Sequence, residues 1–157
     1  MKLANTILYA AVIPAAVYMI VRRLDAWLKI GGSKLLLAIS CLVFTLAVFV
    51  PSPRIHGDET QFFTHVLGGI FVGLLWQYFR PLTKKMSWQR EIIYLFAVVS
   101  ALGVLNELYE LFAYEVGFSD VPVTDTSWDL LANTLGVSLY YAAYQIQKAL
   151  RGLLFSR

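Results

Sequence analysis

A chain of 157 residues with 59% apolar residues, 15% charged residues and a mean hydropathy of +0.65 lacks the make-up of a water-soluble domain, in which about a quarter of residues are charged. Its net charge of +3 gives no argument for nucleic acid, because the basic residues are sorted to one side, as shown below. The single cysteine, Cys41, excludes an internal disulfide and a cysteine-rich metal site.

The apolar residues come in blocks of about 20, the length that crosses a bilayer as helix. The fold expected is therefore an all-α membrane protein, a single bundle of five transmembrane helices over residues 1–157 with no repeat or low-complexity tract. The first span is Leu3–Val21, with Pro14 in its middle, where a kink is expected. It does not read as a cleavable signal: Lys2 is its only basic lead, and Arg22 and Arg23 follow where small residues would be needed. The second, Leu35–Val50, is short and is ended by Pro51 and Pro53. The third, fourth and fifth are Phe62–Phe79, Ile92–Tyr114 and Trp128–Ile146.

Charge sets the expected topology. Arg22, Arg23, Lys29 and Lys34 fill the first loop, Arg80, Lys84, Lys85 and Arg90 the third, and Lys148, Arg151 and Arg157 the tail, which is 11 of the 13 Lys and Arg residues. The positive-inside rule then puts the N-terminus outside and the C-terminus in the cytoplasm. Eight of the ten acidic residues fall on the outer side. Below them, the spans read as apolar, with no second polar layer. Trp27, Trp88 and Trp128 stand near the expected interfaces, as an aromatic belt would.

Polar residues within the spans share a depth. At about 1.5 Å per residue, His65 lies about 22 Å above Arg80, and Glu107 and Glu110 about 25 and 30 Å above Arg90. Asn133 and Asp129 lie about 22 and 28 Å above Lys148. Facing agrees as well. Gly103, Asn106, Glu107, Glu110 and Tyr114 recur at spacings of three and four, as do Asp125, Asp129, Asn133, Gly136 and Tyr140. His65, Gly69 and Gly73 are each four apart, on a small-residue face that permits close helix approach. Polar stripes in a bundle point away from lipid. These three spans are thus expected to converge on an outward-open cavity lined by His65, Asn106, Glu107, Glu110, Asp129 and Asn133, with Asp125 at the rim.

Each residue also has a plainer explanation. Asp129, three residues after Thr126, fits a capping box; Glu110 fits a solvated helix end; Asn106 and Asn133 fit interhelical hydrogen bonding. Glu107 is hardest to dismiss, because it lies deepest and has no basic residue within helical reach, and a carboxylate in hydrocarbon costs a few kcal/mol. Clustered carboxylates in a low dielectric cannot all stay ionised without bound protons or a cation. An imidazole, carboxylates and amide carbonyls suit Zn²⁺, Mn²⁺, Mg²⁺ or Ca²⁺.

Taken together, His65-Val-Leu-Gly68-Gly69, Asn106-Glu107-Leu-Tyr-Glu110 and Asp125-Thr126-Ser-Trp-Asp129-Leu130-Leu-Ala-Asn133-Thr134-Leu-Gly136 resemble the VanZ-like membrane proteins and the related YjdF-type family. The likeness covers about Phe62 to Tyr141; the first two spans match only in hydropathy. Where the YjdF-type pattern has a Gly-Asp pair, this chain has Val123-Thr124, and the Asn133-Thr-Leu-Gly136 ending is similar to the VanZ-like one. The resemblance implies a multi-pass envelope protein, one branch of which is linked to glycopeptide resistance. It implies no particular reaction.

The expectation that follows is an inner-membrane protein that binds a divalent metal and binds or acts on the phosphate-bearing headgroup of an envelope lipid or lipid-linked precursor. His65, Glu107, Glu110 and Asp129 are the expected metal ligands. Asp125 and Glu107 are the expected catalytic groups of a hydrolase or transferase, and Asn106, Asn133 and Arg54 are expected to contact or support the substrate. A non-catalytic subunit partnered by a second copy or another membrane protein stays open, as does a proton- or cation-coupled transporter.

Overall fold

Every predicted apolar block is helical in the computed structural model, which describes residues 3–55, 58–118 and 126–155. The first block begins with α1 (Leu3–Ile7), a π-helical turn (Leu8–Val12) and α2 (Ile13–Leu28), which follow one another without a break. Pro14 accounts for the turn. It has no N–H, and its ring crowds the carbonyl four residues back. The preceding turn widens, so that the Ile13 N–H reaches Leu8, and the Ala10 carbonyl accepts from Thr45 Oγ1 at 2.9 Å instead.

α3 (Lys34–Ala47) starts at Ser33, whose Oγ accepts from the Leu36 N–H at 3.3 Å. It leads to a small antiparallel hairpin, β1 (Arg54–Ile55) and β2 (Asp58–Glu59), with Arg54 opposite Glu59. α4 (Phe62–Tyr78) and a short α5 (Arg80–Thr83) come next. α6 (Trp88–Glu115), capped by Ser87, and α7 (Thr126–Phe155) complete the bundle. Apart from the hairpin, the elements among the described residues are helical. Among the described residues only α6, at 28 residues, is long and apolar enough by itself to cross a bilayer, while α3 and α4 are shorter apolar helices.

One packed cluster joins Phe71 and Val72 of α4, Leu95 and Val99 of α6, and Val137 and Tyr141 of α7. A second joins Val21, Leu37 and Tyr78. The tightest seam is between α4 and α7. A Cβ on Gly69 would overlap the carbonyl oxygen of Asn133, and one on Gly136 would overlap that of Val66. The two backbones touch because glycine stands at both places.

α6 is built inside out. Glu107 is 7% exposed, whereas Leu105, Leu108 and Phe112 are 61%, 57% and 63% exposed. In water the opposite arrangement is the stable one.

On the basic side, the structure corrects the expectation of a featureless apolar layer. α2 runs past its predicted end at Val21 to Leu28, and α6 starts at Trp88 instead of Ile92. Asp25 and Glu91, which lie outside the predicted spans, therefore sit on buried helix faces. The Tyr78 hydroxyl donates to Asp25 Oδ2 at 2.6 Å, Arg22 Nη1 reaches the same oxygen at 2.6 Å, and the Gly31 N–H donates to Oδ1 at 2.8 Å. Glu91 Oε1 accepts from Arg80 Nη1 and, at 3.2 Å, from Trp76 Nε1. The Arg80 guanidinium also lies 4.4 Å from the centre of the Tyr144 ring.

Candidate metal centre

The site is assembled by α4, which contributes His65, and by α6 and α7, which each contribute side chains one helical turn apart. His65 stands in the first turn of α4 and Asp129 in the first turn of α7, and both are buried, Asp129 to 1% exposure. The backbone contact between Gly69 and Gly136 brings these two helix starts together. As a result His65 Nε2 lies 3.3 Å from Asp129 Oδ2. One turn along α7, Asn133 Nδ2 lies 3.3 Å from His65 Nδ1. With the amide in this orientation its N–H donates to Nδ1, and the ring proton sits on Nε2, facing Asp129.

α6 supplies the other side. Gly103, Asn106, Glu107 and Glu110 lie on its inward stripe, and Asn106 Nδ2 donates to Glu110 Oε1 at 2.7 Å. Tyr114, expected on the same stripe, is 44% exposed and faces away from the core.

The four residues predicted as ligands do meet. His65, Glu107, Glu110 and Asp129 can each offer one ligand atom, and all four atoms lie within 4.8 Å of one another. Glu110 is half-buried and the other three are buried. Three carboxylates and an imidazole so close together in a bundle of low dielectric need their charge balanced by a cation or by protons. Three oxygens and one nitrogen form a donor set that hard or borderline divalent cations accept. A cation on His65 Nε2 would replace the proton there. Nδ1 would then carry the N–H, and the Asn133 amide could meet it by turning over to present Oδ1, as ligand-orienting groups do.

Not every predicted residue joins the group. Arg54 lies on β1, exposed to solvent, and among the described residues no hydrogen bond or ion pair links it to the four ligands. Asp125 lies outside the described residues. One participant was missing from the prediction: Tyr9, in the π-helical turn, donates its hydroxyl to Asn106 Oδ1 at 3.1 Å. Only Pro14, five residues on, hinted that the register there is shifted.

No protein-family model, curated protein or solved structure matches this chain.

Proposed function

We propose that the chain is a multi-pass membrane protein whose site holds a divalent cation at the outer headgroup level and binds or acts on the phosphate of an envelope lipid or lipid-linked precursor. The observation that carries this reading is the meeting of four ligand atoms within 4.8 Å. Support for the membrane setting comes from the inside-out helix α6 and from exposed leucines on α3 and α7, such as Leu42 at 55% and Leu131 at 52%. An apolar exterior around a buried polar group is how helices meet lipid. The positive-inside sorting orients the site outward, and the motif likeness to VanZ-like proteins agrees with that placement.

In this reading His65, Glu107, Glu110 and Asp129 are the cation ligands, with Asn106 and Asn133 holding them in place. Asp125, just before α7, would be the rim base, and Arg54 would attract the phosphate. A cation held by these residues would supply Lewis-acid polarisation of the phosphate or activation of water. The test is elemental analysis of protein purified in detergent after exposure to Zn²⁺, Mn²⁺, Mg²⁺ or Ca²⁺. A stoichiometric cation is expected in the wild type and none in the Glu107→Gln, Asp129→Asn double variant. A metal-free wild type overturns the reading.

A second reading is favoured by the hydrogen bonds His65–Asn133 and Asn106–Glu110, which would suit a polar core that only fixes helix packing. The same double variant would then change thermal stability while wild type and variant bind equally little metal.

A further inference from the structure

We propose that Tyr9 is a positioning residue of this site: through Asn106 it holds the Glu110 carboxylate in place, and the π-helical turn is what aims it. The inference rests on the cation-site reading and extends it to the first helix, which contributes no predicted ligand.

The direction of the hydrogen bonds follows from their chemistry. A carboxylate oxygen facing an amide accepts, so the end of Asn106 that lies 2.7 Å from Glu110 Oε1 is its N–H₂. Its carbonyl oxygen must then face Tyr9, where at 3.1 Å only the phenol can donate. Flipping the amide would set its oxygen against the Glu110 carboxylate and lose that bond, and turning the phenol O–H away would lose the bond to Asn106. Glu110 is thereby held at Oε1. Ligating carboxylates are commonly held by such outer hydrogen bonds.

Tyr9 is itself held by its ring, stacked 6.5 Å from Phe44 and edge-on to Tyr109 at 5.7 Å. The π-helical turn sets its direction. One extra residue in a turn rotates everything upstream by about 100° relative to a regular α-helix. A regular helix through Leu8–Val12 would therefore point Tyr9 away from Asn106. Single π-turns inside α-helices recur at functional sites for this reason.

The test is Tyr9→Phe in the full chain in detergent, which removes the hydroxyl and keeps the ring contacts. Mn²⁺ and Co²⁺ are the probes. Affinity is expected to fall about 10-fold or more, the usual effect of losing an outer-shell partner. The visible spectrum of bound Co²⁺ should also shift towards that of Glu110→Gln, a change that a mere loss of packing would not produce. Asn106→Ala, which cuts the same chain at its middle link, should give the same fall. The double variant should bind no more weakly than either single one. Wild-type affinity and spectrum in Tyr9→Phe or in Asn106→Ala overturn the inference, as do additive losses in the double variant. A wild type that binds neither probe overturns the cation-site reading itself, a different result from the failure of Tyr9.

Discussion

The two ends of this bundle bury carboxylates in opposite ways. At the basic end each buried acid has an arginine against it: Asp25 with Arg22 at 2.6 Å, and Glu91 with Arg80. Aromatic donors complete both knots, Tyr78 at Asp25 and Trp76 at Glu91. At the other end Glu107, Glu110 and Asp129 gather around one imidazole, acid against acid. A carboxylate matched to a guanidinium is satisfied by the protein itself and needs nothing more. Carboxylates gathered on one another need a cation or bound protons to balance their charge. The first arrangement locks helices; the second brings four possible ligand atoms within 4.8 Å of one another.

The contrast can be broken most severely at the basic end. Arg80→Met should leave Glu91 buried beside a neutral side chain and cost about 3 kcal/mol, the low end for splitting a buried pair because the arginine is partly exposed. Thermal unfolding in detergent measures it, and an unchanged midpoint would mean the pair locks nothing. At the other end the cation itself is the lever. Divalent metal at about 100 times its Kd should stabilise the wild type by about 2.7 kcal/mol. Chelator should remove that gain, and Glu107→Gln should show none of it.

A smaller effect carries the sharper sign. In chelator, Glu107→Gln is expected to be neutral or to stabilise by up to about 1 kcal/mol, because it removes one of several crowded like charges. Marked destabilisation in chelator would put Glu107 in the same class as Glu91. The smallest effect is a pH dependence. Hydrogen bonding from Tyr78 holds the Asp25 carboxyl below its ordinary value against the opposing effect of burial, with the Gly31 and Gly32 backbone and Arg22 adding to it. A depressed folded-state pKa stabilises fully above the ordinary carboxylate range, and that contribution is lost as pH falls through the lowered value. Asp25→Asn should therefore flatten the acid limb of the stability profile and leave its neutral region parallel to wild type.

What the sequence disclosed and what it hid have distinct physical causes. Hydropathy located the helices because each apolar block forms the body of one, though their ends differ. The ligand group was legible because a three-to-four residue stripe on each of three spans, measured from its own basic foot, fixes height and facing together. The knots around Asp25 and Glu91 were hidden because helix does not stop where hydrophobicity does. α2 and α6 carry these acids beyond the apolar blocks and bury them with arginines that look like ordinary loop charges. Tyr9 was hidden for another reason. In an apolar helix a tyrosine reads as one more aromatic, and its facing follows the usual period only if the helix is regular. Arg54 belongs to no three-to-four residue stripe, and it stands apart from the ligands on β1.

The seam between Gly69 and Gly136 has one more consequence. It sets the gap between His65 and Asp129 by main chain instead of by flexible side chains, and no residue smaller than glycine exists to close it further. Substitution at either position can only wedge the two helices apart. A gap with such a floor can be widened by a single methyl group but not narrowed, so a cation held across it would be exchanged in one direction, for one of larger radius.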